Sequence, residues 1–530
     1  MNHSLSLWIR QHAMLHPNRV ALTAPERTLT YRQLHERADR AAALLSGELQ
    51  LTKGDRLAIY VVNCLEWFEV VTAAARLGVV VVPLNVRLTV PELQYQVRDS
   101  GCTALVAGQE FWAGVPALVA GTSIQRVLTI AAPSTPDAAP ASIPGVSSLA
   151  YEQAMAAAPA VPPADAAEDG DPLFIVYTSG TTGKPKGAIL THSNMLYNAL
   201  NNCVGLGLTA EDTTLTILPL FHVGGIGLFA LPTLYTGGRV VVPRKFDPAE
   251  SLRLIEQERV TVTMVVPTIM TALVQALRQM NPRPDLSSSR GFISGGAPCP
   301  AELNEAAREL GLSFGQGMGM TESAPTLFLQ PEMMFMRDIA RGSHIGRPGT
   351  IGKPSLFCDV KLLDEEGRDI PPGEVGEICL RGGNVFAGYW NLPEATAKSF
   401  TPDGFFRSGD LARADADGYY TIMGRKKEML ISGGENVYPL EVESVLNDHP
   451  AVAEVAVVGV PDARWGEVPG AAVVLHPGAT TTIAELTAFC RSRLAGYKSP
   501  KHWLILPELP RTAIGKVIKP ELVARFTAGK

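Results

Sequence analysis

Residues 178–187, TSGTTGKPKG, lie between two apolar runs and gather hydroxyls, glycines and lysines in one place. Gly, Ser, Thr and Pro also fill ordinary surface turns, but three features point to a ligand. Residues 174–177 read as a short buried strand, so the loop leaves the end of a sheet, where ligands bind. Gly180, Gly183 and Gly187 let the backbone turn tightly with its N–H groups toward a guest, and Ser179, Thr181 and Thr182 add hydroxyl donors. Lys184 and Lys186 supply positive charge, and clustered donors with cations make a phosphate cradle. It is not a Walker A loop: Thr178 stands five residues before Gly183, and Pro185 follows Lys184.

Such a loop needs a sheet to hold it, and the flanking sequence supplies one. Over residues 29–130, helical stretches alternate with apolar runs such as RLAIYVV and ALVAG, which indicates α/β layering. Residues 131–172 are rich in Ala and Pro and are expected to form a long irregular surface connection. Beyond the loop, TTLTILPL, GRVVVP, VTVTMVVP and RGFISGGAP read as strands, several ending in Gly/Pro turns. A β-rich subdomain is expected at about residues 345–424, with strand, acidic turn and strand in DVKLLDEEGRDIPPGEVGEICLRG. From Pro439 the pattern becomes helix, strand, strand, helix. The last helix opens with a Thr482/Glu485 capping box and turns Ile483, Leu486, Phe489 and Leu494 to one face. These roughly 100 residues could fold alone, so a boundary is expected at residues 424–428.

Composition narrows the function. A chain of 530 residues exceeds one ordinary core. It is 46% hydrophobic and 18% charged, which suits a packed globular protein, and its net charge of −6 without a basic stripe argues against nucleic acid. The start, MNHSLSLWIRQHAMLHP, has no secretory pattern. Residues 77–84 and 223–231 are apolar but far too short to span a membrane. The 7 cysteines include no Cys-x-x-Cys pair, which suits a reducing cytoplasm and offers no zinc site.

Six motifs occur in a fixed order: TSGTTGKPKG at 178–187, PLFHVGG at 219–225, QGMGMTES at 316–323, FFRSGDLA at 405–412, GRKKEMLISGGENVYPLEVE at 424–443 and PRTAIGKV at 510–517. Across essentially the whole chain this resembles the adenylate-forming superfamily of acyl- and aryl-CoA synthetases, luciferases and adenylation domains. The resemblance implies a large α/β domain of several subdomains (residues 1–424), a hinge (425–428, pivoting at Lys427) and a small mobile α+β domain (429–530). It also implies ATP, Mg²⁺ and coenzyme A. A carboxylate would attack the α-phosphate of ATP, releasing pyrophosphate, and a thiol would then take the acyl group from the adenylate.

By the same resemblance, Thr178, Ser179, Gly180, Thr181, Thr182, Gly183 and Lys186 hold the β- and γ-phosphates, while Lys184 only adds to the local field. Glu322 holds Mg²⁺, with Thr321 on the α-phosphate side. Asp410 accepts the ribose hydroxyls, and Arg425 approaches ribose and phosphate from the hinge side. Gly296, Ala297, Pro298, Gly317, Met318, Gly319, Met320 and Ile422 complete the nucleotide set. Lys516 bridges the substrate carboxylate and the α-phosphate. His222 stands between the acyl pocket and the thiol tunnel, and Val223, Gly224, Met264, Gly295, Gly317 and Gly319 join it near that pocket. Gly433 and Gly434 leave room for a pantetheine arm, with Trp465, Lys498 and Lys501 as further contacts to coenzyme A.

Two positions depart from the common pattern: Met318 stands where an aromatic usually covers adenine, and Lys427 where Asp is frequent. The expected activity is AMP-forming ligation of a monocarboxylic acid (fatty, alicyclic or aromatic) to coenzyme A, because the pocket shows no lysine or arginine for a second carboxylate. Transfer to a carrier protein is the alternative, and a non-catalytic nucleotide sensor a remote one, since Glu322, Asp410, Arg425 and Lys516 are all present. The resemblance leaves room for a homodimer.

Overall fold

In the computed structural model, residues 3–132, 142–159, 161–178, 184–297, 299, 301–432, 435–462, 464–511 and 517–528 are described. Two compact units divide the chain: Met1–Asp359 with Arg381–Phe400, and Val360–Leu380 with Thr401–Lys530.

The first unit contains two eight-stranded sheets. One runs His344–Ile345, Phe314–Gln316, Gly291–Ser294, Val262–Val265, Thr213–Leu215, Arg239–Val241, Val20–Ala24, Arg27–Thr30. Its neighbours pair in parallel up to the closing hairpin of Val20–Ala24 and Arg27–Thr30. The other runs Gly388–Tyr389, Lys186–Thr191, Pro172–Thr178, Val80–Pro83, Arg56–Tyr60, Ala104–Gly108, Arg126–Ile130, Ser147–Ala150. It is parallel from Pro172–Thr178 onward and antiparallel across its first two pairs. Parallel strands covered on both faces need continuous apolar sequence, and Val80–Pro83 and Ala104–Gly108 are buried throughout. The helix Leu65–Leu77 is buried at every position but Glu66 and touches strands of both sheets, as expected of a helix with apolar residues on all its faces. Its Glu69 is wholly buried, yet it receives Arg37 through both oxygens (2.6 and 2.9 Å), Arg27 and the Tyr151 hydroxyl. Such bonding is the condition for holding a charge inside.

The stretch expected to be an irregular connection is not wholly so. Ser147–Ala150 extends the second sheet, and the helix Tyr151–Ala157 buries Tyr151 and Met155. These two apolar residues, one helical turn apart, suffice to dock a short helix; the Ala- and Pro-rich flanks concealed them.

The second unit carries most of a four-stranded sheet, ordered Cys358–Leu363, Val375–Gly382, Phe406–Ala414, Tyr420–Arg425, whose last three strands pair antiparallel. It also carries a five-stranded sheet, ordered Glu435–Val437, Leu430–Ser432, Gly466–Leu475, Val452–Asp462, with His502–Ile505 parallel to Gly466–Leu475. The short helix Lys426–Glu428 lies between the two sheets in sequence, at the expected boundary and inside this unit. The capping box at Thr482 forms, but its helix, Ile483–Arg491, buries Leu486 and Cys490, leaves Ile483 exposed and ends before Leu494. Nor is it the last helix: Lys519–Thr527 follows, with Pro520 in its first turn and Leu522 and Phe526 buried. Among the described residues no helix is long and apolar enough to cross a membrane, and no cysteine is in a disulfide.

Candidate active site

The Gly/Thr loop joins two antiparallel strands, Pro172–Thr178 and Lys186–Thr191, with Thr178 opposite Lys186. Ser179, Gly180, Thr181, Thr182 and Gly183 lie outside the described residues. Gly187 is required by close approach: a Cβ there would stand 2.6 Å from Ile175 Cγ2. The Lys186 ammonium lies 4.9 Å from the centre of the Tyr389 ring.

The acyl-pocket candidates sit at the carboxyl ends of parallel strands, where open α/β sheets bind ligands. Val265, Ser294 and Gln316 stand side by side at three strand ends, and Gly295 and Gly317 follow the last two directly. Gly295 lies against Met264, whose Cε would be 2.9 Å from an added Cβ, and against the Gly317 carbonyl oxygen at 3.5 Å. Gly317 N–H donates to the Ser294 carbonyl (2.9 Å). Gly296 holds a left-handed backbone (φ +79°), and both it and Ala297 are exposed; Pro298 is not described. His222 is exposed and caps the three-residue helix Val223–Gly225, where its Nδ1 accepts from Gly224 N–H at 3.1 Å. In the neutral ring this leaves the proton on Nε2.

Met318 and Gly319 pair with Thr326–Leu329 and are half-buried, as is Met320. The chain then makes one tight turn, Thr321–Ser323. The Pro325 carbonyl accepts from Met320 N–H (3.0 Å) and from Ser323 Oγ (2.7 Å), which folds the turn back on itself. Asn384 Nδ2 donates to the carbonyls of Ser323 (2.9 Å) and Thr326 (2.8 Å), bracketing it. Glu322 is thereby presented with Oε1 accepting from the Tyr389 hydroxyl at 2.8 Å. Burial first, and then the Glu322 charge, push the Tyr389 hydroxyl upward, so it stays a donor. Among the described residues no other side chain donates to this carboxylate. One carboxylate beside a threonine fits Mg²⁺, which takes one or two protein carboxylates and fills its remaining positions with phosphate and water.

In the second unit, Asp410 and Arg425 are cross-strand partners. Arg425 Nε lies 2.5 Å from Asp410 Oδ1, and Asp410 is only 4% exposed. Ile422 pairs with Ala412 on the same strands. Glu377, also buried, holds this hairpin through Arg407 (3.0 Å), Lys426 (3.2 Å) and Gly409 N–H (3.2 Å). Lys427 is exposed within Lys426–Glu428. Trp465 is 44% exposed beneath the Arg464 guanidinium. Lys498 is engaged by Glu441 (2.7 Å), and Lys501 is exposed. Gly433, Gly434 and Lys516 lie outside the described residues.

Residues 9–390 match the description of the AMP-binding enzyme family, and residues 441–516 match its C-terminal domain. The chain belongs to this family. A feruloyl-CoA synthase of Amycolatopsis sp is 40% identical over 99% of both chains, and an indoleacetate–CoA ligase of Aromatoleum aromaticum 38% over 99% of both. The solved o-succinylbenzoate coenzyme A synthetase of Bacillus subtilis, in complex with ATP and magnesium ion, is 33% identical. It superposes with a TM-score of 0.81 over 97% of this chain and 98% of that one.

For this AMP-binding enzyme the adenylate-forming resemblance is borne out, and with it the ATP, Mg²⁺ and coenzyme A of an acid–thiol ligase. Within the first unit, Gly295, Gly317 and Met264 converge at the carboxyl ends of three neighbouring strands, while Lys186 and Glu322 meet through Tyr389. Sequence reasoning missed Tyr389, Asn384 and Glu377. The available signals were the GYW step at 388–390 and a glutamate directly before the apolar run ICL in GEICL.

Proposed function

We propose that the enzyme activates an aryl or other apolar monocarboxylic acid as its adenylate and passes the acyl group to coenzyme A. The observation that carries this is the strip formed by Gly295, Gly317 and Met264 at the strand ends, packed so closely that an added Cβ at Gly295 would stand 2.9 Å from Met264 Cε. None of these supplies a charge for a second carboxylate, and burying one unpaired costs several kcal/mol. The relatives named above carry ferulate, indoleacetate and o-succinylbenzoate in their names, all aryl acids, the first two of them monocarboxylates.

In this reading residues 178–186 bind the β- and γ-phosphates, and Thr321 meets the α-phosphate. Glu322 holds Mg²⁺, which when bound supplies positive charge to the phosphates as negative charge shifts onto the leaving pyrophosphate. Asp410, held by Arg425, accepts the ribose hydroxyls, with Ile422 beside it and Met318 covering adenine through its thioether. Lys516 neutralises the charge between the attacking carboxylate and the α-phosphate. His222, exposed at the strand ends, separates the acyl pocket from the entering thiol. Lys427 pivots residues 429–530, so that Lys516 serves the first step and Gly433 and Gly434, with Trp465, Lys498 and Lys501, serve the second. Seven cysteines, none in a disulfide, support a reducing, cytoplasmic setting.

Pyrophosphate release over a panel of hydroxycinnamates, arylacetates, benzoates, fatty acids, dicarboxylates and amino acids tests this. An aryl monocarboxylate should give the highest kcat/KM. Preference for a dicarboxylate or an α-amino acid refutes it.

A further inference from the structure

Lys186 and Glu322 carry opposite charge, both reach Tyr389, and they make no ion pair with one another. The ring face of Tyr389 lies 4.9 Å from the ammonium, and its hydroxyl donates to Glu322 Oε1 at 2.8 Å. We infer that Tyr389 is a positioning residue that keeps these two charges apart, holding Glu322 for Mg²⁺ and Lys186 for phosphate. The inference rests on the roles proposed above for those two residues.

The fold builds this arrangement deliberately. Gly388–Tyr389 pairs antiparallel with Lys186–Thr191, placing Tyr389 opposite Ala188. Lys186, two residues along the same strand, therefore lies on the same face. Tyr389 is fixed from two further sides, and its ring partner is tied to Glu322. Its N–H donates to Thr396 Oγ1 (2.9 Å), its ring meets Phe386 edge-on at 4.8 Å, and Phe386 N–H donates to the Glu322 carbonyl (2.9 Å). The carboxylate and the tyrosine that restrains it are thus tied through backbone as well as side chain.

The chemistry explains why an aromatic hydroxyl stands here. A lysine and a carboxylate free to meet in a half-buried site attract strongly, and pairing would spend both charges on each other. A ring face holds an ammonium more loosely than a carboxylate does, so the lysine remains available to a phosphate oxygen. The hydroxyl occupies one carboxylate oxygen and aims the other.

The test uses Tyr389→Phe, Tyr389→Leu, Glu322→Gln and the double variant Tyr389→Leu/Glu322→Gln in the full chain. Mn²⁺ affinity is read by EPR with a non-hydrolysable ATP analogue, and metal-free ATP affinity by calorimetry. Tyr389→Phe keeps the ring and should weaken Mn²⁺ about tenfold, the scale of lost support to a metal ligand, while moving metal-free ATP affinity far less. Tyr389→Leu should weaken both, because Lys186 then collapses onto Glu322. The double variant should regain metal-free ATP affinity, since a neutral Gln releases the lysine; a side chain needed only for folding would give no such recovery. If Glu322→Gln weakens Mn²⁺ and Tyr389→Phe does not, the inference is overturned while the metal reading stands. If Glu322→Gln itself leaves Mn²⁺ binding unchanged, the metal reading falls and takes the inference with it. Failure of the double variant to recover ATP affinity overturns the separation of charges.

Discussion

Gly319→Ala puts the turn that presents Thr321 and Glu322 under direct strain. A Cβ at position 319 would stand 1.7 Å from the Pro325 carbonyl oxygen, and Cβ contacts essentially never fall below 3.0 Å, so the two must part by about 1.3 Å. The struck oxygen is the one that accepts from Met320 N–H and Ser323 Oγ. Loosening both bonds costs roughly 1–3 kcal/mol at 0.5–1.5 kcal/mol each, a loss of a few degrees in melting temperature for a chain of this size. The effect on chemistry is larger, because misplacing catalytic groups by about 1 Å can cost 10²-fold. Pyrophosphate release at saturating ATP should therefore fall by about 10²-fold or more. The matched control is Gly311→Ala, whose φ of +76° strains an added side chain although nothing lies within 4 Å of it. It should lose comparable stability, about 1 kcal/mol, without that loss of rate. Melting curves by circular dichroism run beside the pyrophosphate assay separate the two effects. If Gly319→Ala turns over within threefold of Gly311→Ala, the Pro325 carbonyl does not set the turn and the reasoning is wrong.

Two further outcomes are expected. Lys516→Ala should lower adenylation by at least about 10²-fold yet still convert supplied acyl-adenylate and coenzyme A to thioester, while Lys427→Pro, which fixes φ, should do the reverse; equal damage to both steps by Lys516→Ala defeats the account of alternating domains. His192 is 1% exposed, and burial lowers its pKa to about 4. Between pH 6.5 and 4 the unfolded chain therefore binds a proton that the folded chain refuses. Its contribution to stability is complete above about pH 6.5 and falls by roughly 3 kcal/mol toward pH 4, so the melting temperature of His192→Asn should depend on pH less steeply in that window, and coincident slopes would exclude the effect.

The strands that bear the site were legible because covered strands must be largely apolar, and those at 172–178, 262–265 and 291–294 are, the last two buried at every position. Weaker local signals were lost. The helix Tyr151–Ala157 docks through two side chains amid Ala and Pro, and Lys519–Thr527 through Leu522 and Phe526. Long-range pairing was the harder limit. Nothing near Gly388–Tyr389 indicates that it completes a sheet with Lys186–Thr191. Nor does local texture show that Val360–Leu380 and Thr401–Lys530 form one compact unit while Arg381–Phe400 joins the other.

The charged members of the site were readable for a related reason. A lysine beside glycines, or an aspartate between apolar residues, is costly to bury and stands out from its surroundings. The groups that make those charges usable do not stand out. Asn384 is wholly buried and spends both N–H donors on the carbonyls of Ser323 and Thr326, where it is an ordinary satisfied amide. Tyr389 is one half-buried aromatic among several. Their importance lies in what they prevent: a turn that opens, or a lysine and a glutamate that cancel each other before ATP arrives. A charge can be recognised from one residue's chemistry. Keeping two opposite charges apart is a property of at least three residues and of the strand pairing that brings them together, and in this enzyme that pairing sets position 389 opposite 188, with position 186 next along the same face.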